Sequence, residues 1–207
     1  MGILLEEVVA ATQQVAWLAQ EEPFYIFGAS MGGNFALRLA LAHAEQPIPN
    51  LQGVVAICPA VHPARAMRAI DRLQPYRAFF RRRWLRSLLG KQALFPDLYD
   101  FGPLRELRTV SAMTDWLIPR YSDYADAADY YRHYTVRPAD YERINVKTTV
   151  LAAADDYVIP VQDMYDIPKL PLVDVRIYRT GGHMGFVDVL PFRMWLPRAI
   201  LDILRAA

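Results

Sequence analysis

The sequence predicts an α/β protein, a mostly parallel sheet covered by helices, and three observations predict it. Short apolar runs rich in aromatic and β-branched residues alternate with stretches of helical periodicity, the order of elements that builds a parallel sheet. One of those runs, Gly53 to Cys58, is continuously apolar, as a strand buried on both faces must be. Glycine or proline then stops the runs where a strand has to turn, at Gly28 and at Pro59. With 207 residues, 54% of them hydrophobic and 22% charged, the chain has apolar surface enough for a single compact domain spanning 1–207, and disorder is excluded for most of it.

Taken in order, Leu4, Val8, Ala11, Val15 and Leu18 recur at spacings of four and three opposite Glu6, Glu7, Gln13 and Gln14, so the chain opens with an amphipathic helix. A turn at Glu22 and Pro23 leads into a strand over Phe24 to Phe27, and a helix resumes from Met31 to Ala44. Pro47 and Pro49 end it before the strand at Gly53 to Cys58. From 60 to about 145 arginine and tyrosine become dense, prolines punctuate and no strand signal is present, which reads as an inserted helical region. Strands return at Thr148 to Ala153 and Asp174 to Tyr178, and Pro197 opens a last helix whose apolar face is Ala199, Ile200, Ile203 and Leu204.

Charge narrows the function classes. Twenty-three Lys and Arg against 22 Asp and Glu leave a net charge of +1, so no basic field is available to a phosphate backbone and nucleic acid is not expected as a partner. The single cysteine, Cys58, excludes an internal disulfide framework and reads as a small buried residue at a strand end. Four scattered histidines with one cysteine give no metal-ligand spacing, and no cofactor motif is present. No stretch reaches the roughly 18 consecutive apolar residues of a membrane span, and the acidic start at Glu6 and Glu7 is unlike a signal peptide. A cytoplasmic location is the expectation.

Gly28, Ala29, Ser30, Met31 and Gly32 spell GxSxG where a strand must turn abruptly into a helix, the context that a nucleophile elbow requires. Both glycines are expected to be needed because the turn leaves no room for side chains beside the serine. Ser30 then lies at a helix N-terminus, and the Met31 amide points at an oxyanion formed there. A serine hydroxyl needs a base held in one tautomer by an acid, in the chain order Ser, Asp or Glu, His. Asp155 and Asp156 follow the strand at Thr148 to Ala153, and His183, bracketed by Gly181, Gly182 and Gly185, follows the strand at Asp174 to Tyr178. All three positions fall past the carboxyl ends of strands, at one edge of the sheet. His43, His62 and His133 lack such a setting and read as surface or helix-end residues.

On these residues the chain resembles the α/β-hydrolase superfamily, and within it the YheT-like branch that includes embryogenesis-associated hydrolases. The matching stretches are GASMGGNFALRLA at 28–40, PYRAFFRRRWLRSLLGK at 75–91, DYYRHYTVRPADYERINVKTTVLAAADDYVIP at 129–160 and TGGHMGFVD at 180–188. The resemblance implies a serine hydrolase of carboxylic esters, lipid or acyl esters among them. It makes Ser30 the nucleophile, Asp156 the acid with Asp155 as second choice, and His183 the base; no cofactor or metal is implied.

The resemblance also implies a departure. Family members carry four strands before the elbow, whereas one helix precedes Phe24 here, so the strand at Phe24 to Phe27 is expected to be an open edge and the loop that supplies the second oxyanion donor is not found. Losing one such donor typically costs about 10²- to 10³-fold in turnover. A second reading follows, in which the chain is an impaired hydrolase fragment or an assembly subunit whose sheet is completed by a copy of itself or by another chain. Within 60–145, Arg77, Arg81, Arg82, Arg83 and Arg86 interleave with Tyr76, Phe79, Phe80, Trp84 and Leu85. The reading adopted is a lid helix whose arginines face solvent or pair with Asp97, Asp100 and Glu106, in preference to a membrane-surface helix, since five charges in a neutral protein are a weak signal for peripheral membrane contact.

Overall fold

The computed structural model describes residues 5–189 and 192–205, which form two compact units, one of 63–133 and one that joins the chain before and after it. The second unit carries the sheet. Its elements are helix α1 (Leu5–Leu18), strand β1 (Phe24–Ala29), helix α2 (Met31–His43) and strand β2 (Leu51–Ile57), then strand β3 (Thr148–Ala153) after the other unit. A short helix (Gln162–Tyr165), strand β4 (Val173–Tyr178), a hairpin of β5 (Val187–Val189) and β6 (Phe192–Met194), and a C-terminal helix (Leu196–Arg205) complete it. Leu4, where the first helix is expected to begin, lies outside the described residues.

The main sheet has the order β1-β2-β3-β4 and every neighbouring pair is parallel. The two inner strands explain the sequence signal: β3 is buried at every residue and β2 at all but Gln52, because helices flank the sheet and leave no solvated face. The outer strands are only partly buried, and β1 is the edge among the described residues, as expected. Helix α2 turns its buried stripe, Ala36, Leu37, Leu39 and Ala40, toward β1 and β2. Register does the functional work. Ala29 pairs with Ile57, Ile57 with Leu151 and Leu151 with Arg176, so the carboxyl ends of all four strands lie on the same side of the sheet, with β3 and β4 running two residues further, to Ala153 and Tyr178. The β5–β6 hairpin is absent from the sequence reading, its strands being only three residues each.

The unit of 63–133 is helical: α3 (Pro63–Arg72), the long α4 (Gln74–Leu94), α5 (Val110–Tyr121) and α6 (Ala127–Tyr134). Leu88, Phe101, Leu104, Met113 and Leu117 form its core, with Trp84, Leu85 and Trp116 packed against them. No helix among the described residues is long and apolar enough to cross a membrane. Asp71 joins two of its helices. The Asp71 carboxylate accepts the Val110 N–H (2.8 Å) and the Ser111 N–H (2.9 Å), while the Thr109 hydroxyl accepts the Ala112 N–H (3.1 Å), so the amides that open α5 are satisfied and its positive end faces an anion.

Asp71→Ala removes two charge-assisted bonds and leaves the first amides of α5 unmet. It is expected to lower unfolding stability by about 1–2 kcal/mol in urea titration, in the range of losing a helix cap; an unchanged midpoint would show that this carboxylate does not hold the two helices together.

Candidate active site

The turn after β1 is built by backbone constraint. Ser30 has φ 54° and ψ −118°, an uncommon conformation for a residue with a side chain, and three bonds hold it there. Its N–H donates to the Ile57 carbonyl (2.8 Å), and its carbonyl accepts the Asn34 N–H (3.1 Å) and the Ala60 N–H (3.1 Å). Gly28 makes the turn possible, since a Cβ there would stand 2.0 Å from the Gly32 carbonyl oxygen. Gly32 corrects the sequence expectation: a Cβ at that position meets nothing within 4 Å, so the second glycine of the motif is not required by space. The next glycine is the tight one, with Pro59 Cα and Cβ each 3.0 Å from a Cβ on Gly33.

Asn34 was not singled out from the sequence. It is fully buried one helical turn after Ser30, and its amide donates to the Ala60 carbonyl (2.9 Å) and the Tyr134 carbonyl (2.7 Å). That ties the start of α2 to the segments on either side of the helical unit's insertion points. The available signal was a lone amide at a position where the stripe of α2 is otherwise apolar.

Ser30, Asp156 and His183 converge. His183 Nδ1 lies 2.9 Å from Asp156 Oδ2, and His183 Nε2 lies 3.0 Å from Ser30 Oγ. The second carboxylate oxygen of Asp156 accepts the amides of Val158 (2.7 Å) and Ile159 (2.9 Å). Burial pushes the Asp156 carboxyl up, but the bond from His183, the Ile159 and Val158 amides and the charge of His183 outweigh it, so it sits below the usual carboxylate range. An ionised carboxylate only accepts, so Nδ1 carries the proton. In the neutral ring Nε2 is then the acceptor facing the serine hydroxyl. The Asp156 side chain is 2% exposed and that of His183 14%, so little water competes for these bonds.

Asp155 is elsewhere. Its Oδ1 accepts the Gly182 N–H at 2.7 Å, anchoring the loop that carries His183 without touching the imidazole. The same loop rests on an aromatic group that the sequence reading did not assemble: Phe186, fully buried, and Trp195 have ring centroids 5.0 Å apart, and Trp195 and Tyr178 4.4 Å. Gly181 is small because Phe186 lies there, 2.8 Å from where a Cβ would be. Of the other histidines, His43 ends α2 and accepts the Ile48 N–H at 3.0 Å, and His133 lies on α6 against Asp129.

Cys58 follows β2 with φ 42° and is fully buried, its Sγ 4.0 Å from the Gly182 carbonyl. Donor atoms of Cys58, Asp156 and His183 lie within 4.8 Å of one another, a spacing that suits a shared cation. Burial, reinforced by the Asp156 charge, pushes the thiol up to about 12, so it stays protonated and offers no thiolate, while the facing atoms of Asp156 and His183 bond each other.

The two motif glycines give a direct test. Gly28→Ala forces a methyl against backbone and is expected to cost about 3 kcal/mol or more in thermal or urea unfolding. Gly32→Ala enters open space within a helix and is expected to leave stability unchanged or raise it by up to about 1 kcal/mol. Equal losses from both would contradict the steric account of the turn.

The model of the alpha/beta hydrolase family matches residues 4–191. A protein of Escherichia coli (strain K12) named "Putative esterase YheT" is 30% identical over 214 residues, a match that covers 95% of this chain and 60% of that protein. The chain thus spans less than two thirds of that relative. Among solved structures, serine hydrolase CCSP0084 from Cycloclasticus zankles superposes with a TM-score of 0.54 at 16% identity, covering 97% of this chain and 69% of that one. The monoacylglycerol lipase of Paleococcus ferrophilus does so with a TM-score of 0.51 at 17% identity, covering 97% and 74%. At those identities the likeness is one of fold.

Proposed function

Because the chain belongs to the alpha/beta hydrolase family, we propose that it is a serine hydrolase of carboxylic esters, with Ser30 as nucleophile, His183 as general base and Asp156 as the acid that orients it. The observation that carries the reading is the continuous path from Asp156 Oδ2 through both ring nitrogens of His183 to Ser30 Oγ, each step at hydrogen-bond distance.

The chemistry follows from that path. As Ser30 Oγ attacks the acyl carbon, its proton passes to His183 Nε2, and the imidazolium so formed is stabilised by the Asp156 carboxylate. The Met31 amide opens α2, where the first N–H groups have no partner within the helix, and it donates to the oxyanion of the tetrahedral intermediate. His183 then returns the proton to the departing alkoxide, and a water activated by the same nitrogen releases the acyl group from Ser30. The monoacylglycerol lipase among the structural neighbours and the esterase name of the YheT relative support an acyl ester as substrate class.

The two aspartates separate this reading from its alternatives. With a p-nitrophenyl ester, Ser30→Ala and Asp156→Asn are expected to lower kcat about 10³- to 10⁴-fold, whereas Asp155→Asn retains most of it. A fluorophosphonate probe should label the parent at Ser30 and leave Ser30→Ala unlabelled. An unlabelled parent that folds normally would sink the proposal and favour the impaired-fragment reading, and a larger loss at Asp155 than at Asp156 would reassign the acid.

A further inference from the structure

Helix α4 separates the arginines that the sequence presents as one cluster. It contains Arg77, Arg81, Arg82, Arg83, Arg86 and Lys91 and no acidic residue at all, in a chain whose net charge is only +1. At 3.6 residues per turn these cations fall on two sides. The inner side is shared with Trp84, Leu85 and Leu88, which pack on the core of the helical unit. There Arg77 donates to the Asp71 carbonyl (3.1 Å), and Arg81 donates to the carbonyls of Leu107 and Arg105, both at 2.6 Å. Lys91 lies over the Tyr99 ring at 4.2 Å.

Pro75, Phe79, Arg82, Arg83, Arg86, Gly90 and Leu94 recur at spacings of three and four on the other side, all exposed. Phe79 is 54% exposed and Leu94 76%, and Phe95 and Leu98 just past the helix end are exposed as well. Among the described residues no ion pair reaches Arg82, Arg83 or Arg86. Arg83 stands over the Phe79 ring at 5.7 Å, and of the two dispositions expected from the sequence these three arginines take the solvent-facing one rather than pairing with Asp97, Asp100 or Glu106. The stripe follows a 21-residue helix, a length of about 30 Å at 1.5 Å per residue.

We propose, against the preference drawn from the sequence, that this outer stripe of α4 is a docking surface for an anionic lipid bilayer, because the structure gathers three of the five arginines with exposed Phe79 and Leu94 on one face. Charge complementarity selects the partner, since three exposed guanidinium groups outside any ion pair, with no carboxylate on their helix, are attracted to a surface that carries negative charge. The apolar residues select a bilayer over nucleic acid, because Phe79 and Leu94 gain by entering the boundary between headgroups and acyl chains beside the arginines. Helix α4 lies flat on the surface rather than crossing it. The proposal does not rest on the hydrolase reading, and turnover of a water-soluble ester is its control.

The test is sedimentation of the full chain with vesicles of phosphatidylcholine alone and of phosphatidylcholine mixed with phosphatidylglycerol. Binding is expected to the anionic vesicles only and to weaken as salt is raised. The combined variant Arg82→Gln, Arg83→Gln, Arg86→Gln is expected to weaken it about a hundredfold, at about fivefold for each positive charge removed near the surface. Phe79→Ala with Leu94→Ala should weaken binding while leaving its salt dependence in place. Thermal unfolding and p-nitrophenyl ester turnover of these surface variants should match the parent, which separates lost docking from lost folding or chemistry. Equal sedimentation with both vesicle types, undiminished binding by the arginine variant, or retention on duplex DNA in place of vesicles would overturn the proposal.

Discussion

The backbone of Ser30 is the constraint on which the rest of the site depends. A residue with a side chain held at φ 54° costs about 1–3 kcal/mol, and that strain persists only where neighbouring structure determines it. Here the determinants are the Ile57 carbonyl on β2, the amides of Ala60 and Asn34, and the absence of a side chain at Gly28. Relaxing the turn would swing Oγ away from His183 and, in the same movement, rotate the Met31 amide at the start of α2. One backbone conformation thus fixes both the proposed nucleophile and the proposed oxyanion donor.

The other two groups are fixed by different means, which is why they can be precise without being neighbours in sequence. Parallel pairing brings the carboxyl ends of β1, β3 and β4 to the same side of the sheet, β3 and β4 reaching two residues beyond β1. Beyond the strands, Asp156 is oriented by two amides of its own turn, and the His183 loop is held by the Asp155 carboxylate on one side and the Phe186 and Trp195 rings on the other. Adjacent aspartates therefore divide the work: one meets the imidazole, and the other holds the loop that carries it. The protonated Cys58 fills the space beside them as a neutral group.

Much of this was legible in the sequence because it is local. The GxSxG turn, the aspartate pair after one strand and the glycine-bracketed histidine after another each announce themselves within a few residues, and the burial of β2 is written in its unbroken apolar run. What stayed hidden depends on contacts between distant segments. Nothing near Gly32 says that only Gly28 is sterically obliged, because the clash is between the strand and the first turn of α2. The two amide donations of Asn34 reach Ala60 and Tyr134, a hundred positions apart from it in the second case. Likewise, five arginines within ten residues look alike until packing shows that Arg77 and Arg81 satisfy carbonyls while Arg82, Arg83 and Arg86 face outward.

In the proposed mechanism Ser30 and His183 act as one unit through their hydrogen bond. A double-mutant cycle measures that most directly: kcat/KM for p-nitrophenyl ester hydrolysis by the parent, Ser30→Ala, His183→Ala and the double variant. Each single variant is predicted to lose nearly all the activity, and the double variant to be no slower than either, because removing one member already disables the other. Losses that multiply in the double variant would mean that the two residues work independently, and would contradict the account.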